Sequence, residues 1–175
     1  MNKIFRFLLM VMVSASLLTA CQNGNKPVKE SETKQLTTAE KEDIKKTISG
    51  RIDEVIEGAK ELNVDKAARP YSNDPEFKIV NPDGSVTDFE TMKKQQSEGF
   101  KALKSLSFTT TKQDFTFLAN DLVMCTWTGK NEFELTTGEK MKIEPYVGSL
   151  LFKNKEGVWQ IIYAHETTAA PTLVN

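Results

Sequence analysis

Apolar residues recur at spacings of three and four in the first part of the chain and at alternate positions in the last. Ile44, Ile48, Ile52, Val55, Ile56, Ala59 and Leu62 share one helical face, which predicts an amphipathic helix laid on an apolar surface. Thr37 and Glu40 stand where a capping box would open it, and Asn63 is placed to stop it. Gly50 and Gly58 each cost this helix about 1 kcal/mol relative to Ala, which packing has to offset. Further on, FKIV alternates as a short strand. NPDG follows as a turn with Pro82 and Gly84 at positions that suit them. A second helix, capped by Thr87 or Asp88, carries Phe89, Met92, Gln96, Phe100 and Leu103 on one side.

From Ser107 the period changes. SFTTTKQDFTFL, DLVMCTWTGKNEFEL, EKMKIEPYVGSLLFK and GVWQIIYAHET are rich in β-branched and aromatic residues, and AND, TTG and NKEG separate them. Short Gly, Asn and Asp connections between alternating runs predict hairpins. The predicted domain is α+β: two helices with a small hairpin between them, then a four-stranded antiparallel meander that curves around the helices.

The 36 residues before this domain differ in kind. MNKIFRFLLMVMVSASLLTA, residues 1–20, has the basic start and apolar run of a secretory signal. It ends in LTAC, the pattern of a bacterial lipobox, which predicts cleavage before Cys21 and lipidation of its sulfur. Residues 22 to 36 are polar and charged and read as a tether of roughly 20–25 Å reach. The domain proper then spans 37–175. It is expected in the cell envelope, held by lipid on the periplasmic or surface side of a bacterial membrane. Without the signal, 21 basic side chains face 24 acidic ones, a net of −3. A nucleic-acid partner is not expected at that balance. Once Cys21 is lipidated, Cys125 is the one thiol left. It reads as a small buried apolar residue.

The order of these elements resembles the nuclear-transport-factor-2-like superfamily, in particular its SnoaL-like branch. The residues that carry the resemblance are Tyr71-Ser72-Asn73-Asp74-Pro75-Glu76-Phe77 before the first strand, PDGSVTDFETMKKQQSEGF at the hairpin and second helix, and Gly157, Trp159 and His165 on the last strand. It covers residues 38 to 168. It implies a cone-shaped fold with a pocket in the open end, and often a homodimer through the outer face of the sheet. It implies no single chemistry, because the superfamily holds isomerases, cyclases and dehydratases beside non-enzymatic binding modules.

Side chains of a strand alternate between faces, so Trp159, Ile161, Tyr163 and His165 are expected on one face, with Val158, Gln160, Ile162, Ala164 and Glu166 on the other. Placed inward, the first set joins Tyr71, Trp127 and Tyr146 as ligand-binding walls. His165, Asp74 and Tyr163 are the candidates for moving a proton. Each also has a structural reading: His165 as a strand-end hydrogen-bonding residue, Asp74 as a turn former before Pro75, the aromatics as core. His165 is the only histidine, so a multi-histidine metal site is impossible, and neither a metal nor another cofactor is expected. The favoured expectation is a binding domain for a small, partly apolar ligand or a partner protein, rather than an enzyme. An isomerase, cyclase or dehydratase using the same pocket is the second, and a dimeric interaction module the third.

Overall fold

A computed structural model describes residues 35–174. The signal segment, Cys21 and the tether up to residue 34 lie outside the described residues. Among the described residues, no helix is long and apolar enough to cross a membrane.

Helix α1 (Thr38–Lys60) begins where its capping residues dictate. The Glu40 amide donates to Thr37 Oγ1 at 3.2 Å, and the Thr37 amide donates to Glu40 Oε2 at 2.7 Å. Two amides that the helix itself leaves unpaired are thereby satisfied. The helix buries Ile48, Ile52, Gly58 and Ala59. Its stop differs from expectation. Leu62 takes the left-handed conformation, with φ 51°, and Asn63 caps the next helix instead. The Asn63 side chain accepts from the Lys66 amide at 3.0 Å and opens α2 (Val64–Ala68). Gly58 is explained by this neighbour: a Cβ there would lie 2.2 Å from the Ala67 nitrogen. Only glycine lets the two backbones approach so closely.

The hairpin of β1 (Lys78–Val80) and β2 (Val86–Thr87) comes next, followed by α3 (Phe89–Lys101). Asp88 caps α3 by accepting from the Thr91 amide at 2.8 Å. The long strands are β3 (Leu103–Ala119), β4 (Leu122–Leu135), β5 (Lys140–Lys155) and β6 (Val158–Thr168). They form the predicted antiparallel meander. Gly138 and Gly157 turn its second and third hairpins at φ 94° and 88°, values a side chain would resist. Two features extend the sheet beyond expectation. Strand β1 pairs parallel to β6, so the small hairpin continues the sheet in the order β2-β1-β6-β5-β4-β3. The C-terminal β7 (Thr172–Leu173) pairs with β5 at Met141 and Lys142, which docks the tail.

The result is a curved, largely antiparallel sheet wrapped around N-terminal helices, an α+β cone. Its core lies between α1 and the concave face, where Ile48, Val123, Cys125, Phe152, Ile161 and Ala164 are each 0% exposed. Cys125 is a free thiol buried there. Burial, with a smaller push from the Asp114 charge, raises it to about 12. It is a packing residue, as its apolar setting in the sequence predicts.

Candidate functional site

One irregularity decides which residues of β6 reach the interior. Leu151 pairs with Tyr163, but the next β5 residue, Phe152, pairs with Ile161. Ile162 is therefore an extra residue, a β-bulge, and the alternation changes phase across it. Before the bulge Trp159 and Ile161 face the core. After it Ala164 and Glu166 do. The expected set of Trp159, Ile161, Tyr163 and His165 on one face is thus split. Tyr163 is turned to the convex side and half-buried, and His165 is exposed. His165 stands between Ser149 and Val80 of the neighbouring strands, away from any cavity wall.

The concave face opens on a cavity of about 250 Å³. Helix α1 gives it an aliphatic wall of Ile52, Val55 and Ile56, and α3 adds Phe100. The facing wall is aromatic. Phe108, Trp127 and Tyr146 lie edge to face, with ring centroids 6.1, 5.8 and 5.9 Å apart and interplanar angles of 71° to 81°. The indole is held in place, because Trp127 Nε1 donates to Thr110 Oγ1 at 2.9 Å. Gly148 lies between Trp127 of β4 and Glu166 of β6 in the same cross-strand row. Its missing side chain leaves space on the floor of the cavity. A Cβ there would meet only Leu150 Cδ2, at 3.9 Å.

Four polar groups interrupt this surface: Tyr71, Gln96, Tyr146 and Glu166. Tyr146 Oη donates to Glu166 Oε2 at 2.7 Å. These two residues are diagonal neighbours on adjacent strands, which brings long side chains within reach. Burial raises the Glu166 carboxyl above the ordinary carboxylate range, and the Tyr146 hydrogen bond opposes this only in part. Both tyrosines are pushed up, first by burial and then by the Glu166 charge. Tyr71 is brought here by a strand-like bridge to Ile161, with the Ile161 amide donating to the Pro70 carbonyl at 2.9 Å and the Ser72 amide to the Ile161 carbonyl at 2.8 Å. Gln96 Oε1 is buried without a hydrogen-bond partner.

The candidate residues from the sequence therefore separate. Tyr71, Trp127 and Tyr146 line the cavity. Trp159 is buried in the core beside it, 5% exposed, and Tyr163 and His165 are outside. Asp74 is exposed on the loop before β1, where it pairs with Lys155 Nζ; the Asp74 amide donates to Ser72 Oγ at 3.3 Å. It does not line the cavity. Glu166 and Gln96 are the functional groups that sequence reasoning passed over. Gln96 carried a signal, since it is the polar residue within the apolar stripe of α3. Glu166 carried none until the bulge was seen. Among the described residues no group of His, Cys, Asp or Glu could hold a metal ion.

The curved sheet wrapped around N-terminal helices matches the cone fold of nuclear-transport-factor-2-like structures. Solved structures of similar fold agree. A scytalone dehydratase-like protein from Novosphingobium aromaticivorans superposes with a TM-score of 0.71 at 10% identity, over 79% of this chain and 93% of that one. A hexachlorocyclohexane dehydrochlorinase, LinA type 2, gives 0.69 at 10% identity over 79% and 94%. A dehydratase-like protein of the nuclear-transport-factor-2-like family from Streptomyces avermitilis gives 0.63 at 12% identity over 73% and 97%. No protein-family model matches the chain, and no curated protein does.

Proposed function

We propose that this is a lipid-anchored envelope protein whose cone domain binds a small, largely apolar molecule on the concave face of its sheet. The observation that carries the binding half is the cavity itself: about 250 Å³ with aliphatic and aromatic walls and a few convergent polar groups, the usual make-up of a ligand site. Apolar cavities of about 150 Å³ already accept benzene, so a one- or two-ring molecule suits the space. The anchor half rests on LTAC at Leu18 to Cys21. Gly148→Leu tests the binding half. The added side chain would project into the cavity without meeting backbone, so titration calorimetry should show a bound aromatic probe lost while thermal unfolding stays within a few degrees. Binding of undiminished affinity in this variant would place the ligand elsewhere.

One observation favours a second reading, proton transfer. Glu166 is a half-buried carboxyl whose pKa desolvation raises, held by a tyrosine hydroxyl at 2.7 Å. A base beside a hydrogen-bond donor in a dry site is the equipment needed to ionise a carbon acid. The three structural neighbours above are named for elimination reactions, two dehydratase-like proteins and a dehydrochlorinase. In deuterium oxide, the wild type should then exchange the α-protons of a small cyclic ketone, and Glu166→Gln should not. Exchange no faster than in buffer removes this reading.

A further inference from the structure

We propose that the ligand of this cavity is a small organic cation, an amine with an apolar body whose ammonium lies between the Glu166 carboxylate and the corner formed by Phe108, Trp127 and Tyr146. The inference rests on the binding reading above and adds the chemical class of the ligand.

Charge is the first argument. The titratable groups on the wall are Tyr71, Tyr146 and Glu166, and no Lys, Arg or His lines the cavity. His165, the cationic candidate nearest in sequence, is turned to the other face by the Ile162 bulge. Glu166 is thus a half-buried acid with no positive side chain on the cavity wall beside it. Buried charges are costly unless paired, and the rise in its pKa comes from burial that no neighbouring positive charge offsets. A bound ammonium would supply the missing partner.

Hydrogen bonding is the second argument. Tyr146 donates to Oε2 of Glu166, and a carboxylate has further lone pairs with which to accept. Gln96 Oε1 is a further acceptor, buried and unpartnered. A ligand that satisfies both has to donate. An ammonium carries donors and no acceptor, whereas a ketone or carboxylate would leave these oxygens unmet or repelled. The walls agree with this. Three rings at mutual angles of 71° to 81° make a corner in which π-faces and the carboxylate border one space, the arrangement that holds alkylammonium groups.

Three probes of nearly equal size and different charge test this on the full chain in detergent micelles near neutral pH: phenethylamine, phenethyl alcohol and phenylacetate. The expected result by titration calorimetry is that phenethylamine binds at least about tenfold more tightly than phenethyl alcohol, a difference of about 1.4 kcal/mol, and that phenylacetate gives no binding. Glu166→Gln should lower phenethylamine to about the level of the alcohol, and continued binding of the alcohol by the variant shows that its cavity is intact. Equal affinity of amine and alcohol in the wild type would overturn the cation assignment and leave the cavity a binding site. A preference for the amine that survives Glu166→Gln would overturn the role given to this carboxylate. Failure of all three probes to bind would overturn both readings.

Discussion

Phe152→Ala is expected to destabilise the domain by about 3–5 kcal/mol. Phe152 is 0% exposed and is paired across the sheet with Val123 on one side and Ile161 on the other, each also 0% exposed. The three form a row across β4, β5 and β6 beneath α1. Strand β5 is hydrogen-bonded on both sides, so its backbone is poorly able to move in and fill the space the ring leaves. The cost should therefore contain a cavity contribution as well as the lost transfer of the ring from water. Equilibrium urea unfolding measures it, and Phe152→Leu, which keeps most of the volume, should lose far less. A loss below about 1 kcal/mol for the alanine variant would mean that the row collapses freely and that the stabilising core lies elsewhere.

The features legible in the sequence were those whose causes are local. The Thr37–Glu40 box, the Asp88 cap and the glycines of the hairpins act within three or four residues. Their chemistry is visible in a short quoted stretch. The helix stop was read one residue late because Asn63 suits two roles, C-terminal stop and N-cap, and the start of α2 claimed it. What could not be read was long-range. The parallel pairing of β1 with β6 joins residues more than 80 positions apart, and nothing in KIV or YAH announces it. The alternation rule itself was sound on either side of Ile162. It failed for Tyr163, Ala164, His165 and Glu166 because it counts residues, and a bulge adds one.

This failure bears on the chemistry as well as the fold. Continued without a break, the pattern turns the lone histidine inward and the last glutamate to solvent. The bulge reverses both, and the pocket holds a carboxyl raised by burial where the unbroken pattern would place an imidazole. Tyr146 was legible as a wall residue, but the use of its hydroxyl was not, since its partner was assigned to the opposite face. A tyrosine turned into the interior usually finds a hydrogen-bond partner, and Glu166 is that partner at 2.7 Å.

Deleting Ile162 together with Tyr163 should therefore be far more damaging than deleting Ile162 alone. Without Ile162 the two strands can pair regularly in the register they already have, Phe152 with Ile161, Leu151 with Tyr163, Leu150 with Ala164 and Gly148 with Glu166. Ala164 and Glu166 stay inward, Tyr163 and His165 stay outward, and the pairing of Tyr163, Ala164 and His165 with β1 is kept. What is lost is the local bend of the bulge. Removing Tyr163 as well moves the rest of β6 by one position, which turns His165 inward and Ala164 and Glu166 outward. His165 then meets the site of Ala164, which is 0% exposed and has no room for an imidazole, and overpacking of this kind costs about 1–3 kcal/mol. Glu166 is also taken away from Tyr146. Urea unfolding of both variants, with ligand titration on whatever folds, distinguishes the cases. Similar stability losses for the two deletions, with binding retained in both, would show that the phase of β6 is fixed by something other than its residue count. A single deletion that keeps the site, beside a double deletion that unfolds or empties it, would show that the phase of β6 against β5, and not the identity of the extra residue, turns a carboxylate into the cavity and a histidine out of it.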